Sequence, residues 1–139
     1  MLDTATLEFI KTHRNDDTRA LALQAGRYPG VDVREAVVQI EGYKQACEKL
    51  PAWSAVDGII YPPKISMEQC SSERTARYKA ALVAGAGFAD LTGGFGIDFS
   101  YISRGFERAF YIERNEHLCE IAIANFALLG LGNTRVMNG

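Results

Sequence analysis

The feature that most restricts the fold is FADLTGGFGIDFSYISRGFERAFYIERN, residues 88–115, where a glycine cluster separates two short apolar runs. The second run ends on a carboxylate, Glu113. GFADLT reads as a strand, GIDFSYISRG as a helix beginning directly after the glycines, and ERAFYIE as a second strand. NEHLCEIAIANFALLG follows as a helix with Leu118, Ile121, Ala122, Phe126 and Leu129 on one face, until Gly130 and Gly132 break it. TRVM then begins a third strand. Strand, helix, strand, helix, strand predicts a parallel sheet joined by right-handed crossovers.

Ahead of that stretch the chain reads as helical. TLEFIKTH starts at a cap from Thr4 or Thr6, and NDDTRALALQAG offers Asn15 or Asp16 as N-cap and Gly26 as a stop. In VDVREAVVQIEGYKQACEKLPAW, Asp32 and Glu35 form a capping box. Val33, Ala36, Val37, Ile40, Tyr43, Cys47 and Leu50 then recur at helical spacing until Pro51 ends the run. SAVDGIIYPPKIS carries a turn at Asp57-Gly58 and an extended path at Pro62-Pro63. SMEQCSSERTARYKAALVAG reads as one more helix, capped by Ser71 or Ser72 and stopped by Gly85. The expected organisation is therefore a helical module over 1–58, a linker and pre-strand helix over 59–85, and an α/β unit over 86–139.

The 139 residues, 47% hydrophobic and 23% charged, suit one globular domain or two small ones. Charged residues interrupt every apolar stretch, which argues against a membrane span, and the N-terminal MLDTATLEFIKTHRNDD has no apolar signal core. Cys47, Cys70 and Cys119 form no C-x-x-C pair and are expected to be reduced core thiols of a cytoplasmic protein, with no metal bound. Net charge is −2, and both halves are balanced: eight basic and nine acidic groups over 1–66, seven and eight over 67–139. No basic stripe presents a nucleic-acid surface.

Asp90, Gly93, Gly94 and Gly96 fall at the first strand-to-helix turn. Such a turn lets a ligand approach backbone N–H groups at the positive end of a helix without meeting a Cβ. Glu113 ends the next strand, and in a doubly wound sheet the two strand tips are neighbours, so its carboxylate can accept both hydroxyls of a ribose. A dinucleotide fingerprint needs a third glycine where Phe99 stands, which speaks against NAD. A P-loop needs a lysine after its last glycine, and none is present. An acid at the strand end before the glycines suits a ligand with a positively charged amino-acid end, and S-adenosylmethionine has that shape and charge.

At these residues the chain resembles the class I S-adenosylmethionine-dependent methyltransferases, whose first motif approximates D-x-G-x-G-x-G and here stands as DLTGGFG, with Thr92 in place of the first glycine. YIERN resembles the second motif; the resemblance makes Glu113 the ribose acid and places the Arg114 side chain on the adenine. A broader resemblance runs through DDTRALAL, KLPAW, GIIYPP and SMEQCSSERTARYK to the bacterial methyltransferases with a THUMP-like domain, relatives of the trimethylguanosine-synthase type. It implies a helical module followed by the first half, about three parallel strands, of a Rossmann-like fold, and RNA as the substrate. By the same resemblance the chain is an N-terminal fragment, inactive alone, with catalytic residues beyond Gly139 and a tendency to self-associate through its open sheet.

The polar stretch EQCSSERTARYK is expected near the cofactor cleft, with Ser72 and Thr75 as candidate contacts. His13 and His117 are expected at helix surfaces or ends, and Trp53 and Tyr61 to pack the module against the sheet. Two other readings stay open: an NAD(P)-dependent oxidoreductase, and a non-catalytic RNA-binding or adaptor protein retaining a relic methyltransferase fold.

Overall fold

A computed structural model describes residues 2–139. The first part is helical: α1 (Thr4–His13), α2 (Thr18–Leu23), α3 (Val33–Lys49), α4 (Pro51–Ser54), α5 (Lys64–Gln69) and α6 (Glu73–Ala81). Aspartates cap the first three, Asp3 for α1, Asp17 for α2 and Asp32 for α3, each accepting a backbone N–H of the first turn. Position 17, rather than 15 or 16, is thus the cap of the second helix, and Asp3 takes the place expected of Thr4 or Thr6.

Strand β1 (Gly85–Asp90), helix α7 (Ile97–Ile102), strand β2 (Phe106–Glu113), helix α8 (Glu116–Leu128) and strand β3 (Thr134–Asn138) follow in the expected order. The sheet is parallel with strand order β1-β2-β3, so β2 is central. Tyr111 of β2 pairs in register with Asp90 of β1 and with Val136 of β3, so the carboxyl ends of all three strands lie side by side. β1 is mostly exposed and its second edge carries no strand among the described residues. No helix among the described residues is long and apolar enough to cross a membrane.

Two apolar clusters hold the chain together. The smaller joins Phe9, Leu21, Val33, Ala36 and Ile40. The larger runs from Ala46, Leu50 and Trp53 through Tyr61 and Phe95 to Phe99, Tyr111 and Phe126. Helix α3 contributes its first half to one cluster and its second half to the other. Trp53 and Tyr61 do pack the helical part against the α/β part: the Trp53 ring meets Phe95, a residue of the glycine loop, at 5.0 Å. Phe99 is fully buried and stacks on Phe126 at 5.2 Å and on Phe88 at 5.8 Å.

Two expectations are corrected. The stretch after Pro63 is not one helix but two, because α5 stops at Gln69 and Cys70 is extended. Lys49 Nζ donates to Met67 O at 2.9 Å and to Glu68 O at 3.3 Å, satisfying carbonyls at that end. Cys47 is exposed and not a core thiol, since it falls on the solvent side of α3; Cys70 is half-buried and Cys119 buried. His13 lies beside Phe9 and Tyr28 at the end of α1, its Nδ1 2.6 Å from Asp16 Oδ2, whereas His117 is exposed on α8.

Candidate functional site

The loop from β1 to α7 is shaped by what lies behind it. A Cβ on Gly93 would stand 2.2 Å from Tyr111 Cε2, and one on Gly96 would stand 2.7 Å from Phe126 Cζ. Both positions are glycine because core rings press against the backbone there. Gly96 also has φ of +91°. Gly94 differs: its φ is +57°, and the nearest atom to a Cβ would be Thr92 O at 3.8 Å, so its surroundings are open. Of the three glycines, Gly94 is the one whose bareness leaves free space.

Cross-strand hydrogen bonds fix the loop. Gly93 N–H donates to Ile112 O at 3.0 Å, and the Tyr111 hydroxyl donates to Gly94 O. Burial pushes that hydroxyl's pKa up, the nearby Glu113, Cys119 and Asp90 adding to it, so it stays protonated and able to donate. Asp90 Oδ1 accepts Thr92 N–H at 2.9 Å, an Asx turn that starts the loop. The Thr92 hydroxyl lies 3.4 Å from the same oxygen.

Glu113 reaches across from the tip of β2. Its Oε2 accepts Gly94 N–H at 2.9 Å and its Oε1 accepts Asn115 N–H at 2.9 Å. Partial burial raises its pKa, but the backbone N–H bonds from Asn115 and Gly94, with the backbone and charge of Arg114 beside it, outweigh that and hold the carboxyl below its ordinary range. Its main chain is tied to β3: Asn138 Nδ2 donates to Glu113 O at 3.0 Å and to Arg114 O at 2.9 Å.

Asp90, Thr92, Gly93, Gly94, Gly96 and Glu113 all line one cleft of about 490 Å³ at the strand tips. That size falls in the range of about 300–1,000 Å³ typical of small-molecule sites. Ser72, Thr75 and Arg114 are not among its lining residues. Ser72 caps α6 by accepting Thr75 N–H at 3.2 Å, and its hydroxyl donates to Thr75 Oγ1 at 3.0 Å. The polar stretch does reach the cleft, but through Gln69, Cys70 and Ser71. Burial pushes the Cys70 thiol up, Asp98 adding to it and Lys49 opposing.

Sequence reasoning missed Asp98, in the first turn of α7. Its Oδ2 accepts from Ser71 Oγ at 3.0 Å and from Lys79 Nζ at 2.9 Å. Its Oδ1 is buried with no donor among the described residues, in the wall of the same cleft. The spacing D-x-x-x-x-x-x-x-D, with both acids flanking the glycines, was the available signal.

No protein-family model matches the chain, and no curated protein matches it. Among solved structures, the chain is similar to a protein from Porphyromonas gingivalis W83 provisionally described as a methyltransferase. The two share 28% identity over 99% of this chain, with a TM-score of 0.78, and the match spans 36% of that protein's chain. Helices followed by a three-stranded parallel sheet are thus a partial Rossmann-like methyltransferase fold.

Proposed function

We propose that this chain is the cofactor-binding part of an S-adenosylmethionine-dependent methyltransferase acting on RNA. The observation that carries the reading is the convergence of the glycine loop and Glu113 at neighbouring strand tips, facing one polar cleft. Two local features fit the cofactor. Gly94 leaves open backbone in the cleft wall, and Asp98 Oδ1 is a carboxylate oxygen with no donor among the described residues. Asp90, which no described ion pair includes, gives the cleft negative charge suited to an ammonium group, while Asp98 is already paired with Lys79.

When bound, S-adenosylmethionine supplies a methyl group on a sulfonium that leaves readily. The chain's part is positioning, which accounts for much of the rate of such a transfer. Gly94 lets the ligand approach bare backbone, Asp90 faces the amino-acid end, and Glu113 accepts from the ribose. Glu113 keeps lone pairs free beyond the two N–H bonds it accepts at 2.9 Å. RNA as acceptor follows from the sequence resemblance. In this reading the chain alone binds cofactor without transferring methyl groups.

Calorimetry of S-adenosylmethionine against the chain and Glu113→Ala tests it. The substitution is expected to weaken binding by about 1–3 kcal/mol, the range for hydrogen bonds to a charged group. Because the folded carboxyl titrates below the ordinary glutamate value of 4.5, it is fully charged at neutral pH. Affinity should therefore hold as pH falls from 8 to about 5 and drop only below that. Equal affinity in the variant would take Glu113 out of the site, and NADH binding in place of S-adenosylmethionine would overturn the reading.

A further inference from the structure

A second cavity lies away from the strand tips, between α1, α3 and residues 54–61. It holds about 80 Å³, room for a carboxyl group and a few carbons. Leu7, Ile10, Val56 and Ile59 give it apolar walls, and Lys11 and Arg14 bring positive charge. The Arg14 guanidinium lies 4.4 Å over the Tyr43 ring. Its Nε is buried and donates to nothing among the described residues. Asp57 lines the same cavity, yet no described ion pair includes Arg14.

A guanidinium N–H withdrawn from water without an acceptor is destabilising, and arginine so placed matches a planar carboxylate. The walls are also preformed. Gln39 bonds both backbone groups of Tyr61 at 2.8 Å, and Asn125 bonds both of Ile60 at 2.8 and 2.9 Å. A site fixed in this way loses little conformational freedom on binding. The apolar walls and the Asp57 carboxylate disfavour a dianion such as phosphate.

We propose that this cavity binds a short apolar monocarboxylate, with the carboxylate on Arg14 and the hydrocarbon against Leu7, Ile10 and Val56. The site is independent of the strand-tip cleft.

The test is titration of the nitrogen-15-labelled chain with sodium hexanoate, following the Arg14 Nε–H resonance, with 1-hexanol and inorganic phosphate as comparison probes. The expected result is a saturable shift with hexanoate and none with hexanol or phosphate. Arg14→Gln, with an unchanged circular dichroism spectrum, should weaken hexanoate binding roughly tenfold, as loss of a charge-assisted pair implies. Should that variant not fold, the comparison of hexanoate with hexanol on the unaltered chain decides alone. A flat hexanoate titration, an equal response to hexanol, or a response to phosphate instead would overturn the proposal.

Discussion

Gly93 and Gly94 are neighbours with different reasons for lacking a side chain, and the difference can be measured. At Gly93 a methyl group would stand within 2.6 Å of three atoms of the Tyr111 ring. That ring is fully buried and bonded to Gly94 O, so it has nowhere to retreat. Gly93→Ala should cost about 3 kcal/mol of stability, the upper end for overpacking a filled core. Gly94→Ala meets open space and bears only the left-handed backbone at φ +57°, roughly 1–2 kcal/mol. Urea denaturation of the two variants should rank them in that order. The reverse ranking would mean that the ring moves aside and that Gly93 is not a packing glycine.

At the scale of elements, the alternation of strand and helix after residue 85 was legible because each piece carries its own local signal. The apolar runs are short, the glycines sit between them, and Asn115 caps α8 through its contact with Leu118 N–H at 3.2 Å. The break at Cys70 was not legible, because the partners that end α5 lie elsewhere: Lys49 on its last carbonyls, Asp98 on Ser71. The same holds for the site. The glycines, Asp90 and Glu113 announce themselves by spacing; Asp98 shares that spacing signal with Asp90 but its partners Lys79 and Ser71 lie elsewhere in the chain, and Phe95 acquires its role only through Trp53.

The segment 59–61 shows how far such nonlocal support extends. It belongs to no helix or strand, yet Gln39 and Asn125 bond the backbone N–H and C=O of Tyr61 and Ile60 as a neighbouring strand would. Asn125 is fully buried, 65 residues along the chain from Ile60. Asn125→Ala leaves two backbone groups of Ile60 without partners and should destabilise by about 2–4 kcal/mol. Thermal unfolding of the variant checks this; a change within a few tenths of a kcal/mol would show that water replaces the amide without loss.

For the molecule as a whole, the question is whether the helical part and the sheet unfold together. The larger apolar cluster answers it, because Trp53, Ile59 and Tyr61 from the first part share one core with Phe95, Phe99 and Tyr111 from the second. α3, at 17 residues, ties the smaller cluster to that core through a single helix. Trp53 is the only tryptophan and is 1% exposed at the junction, so its fluorescence reports on the contact between the two parts. Circular dichroism reports instead on all the helices, most of which precede the sheet. A chain of this size with a shared core should lose both signals at one denaturant concentration. Coincident urea midpoints are therefore expected. If fluorescence changed first while helicity remained, the helical part would be an autonomous unit, and Phe95 would owe its position to the loop alone and not to Trp53.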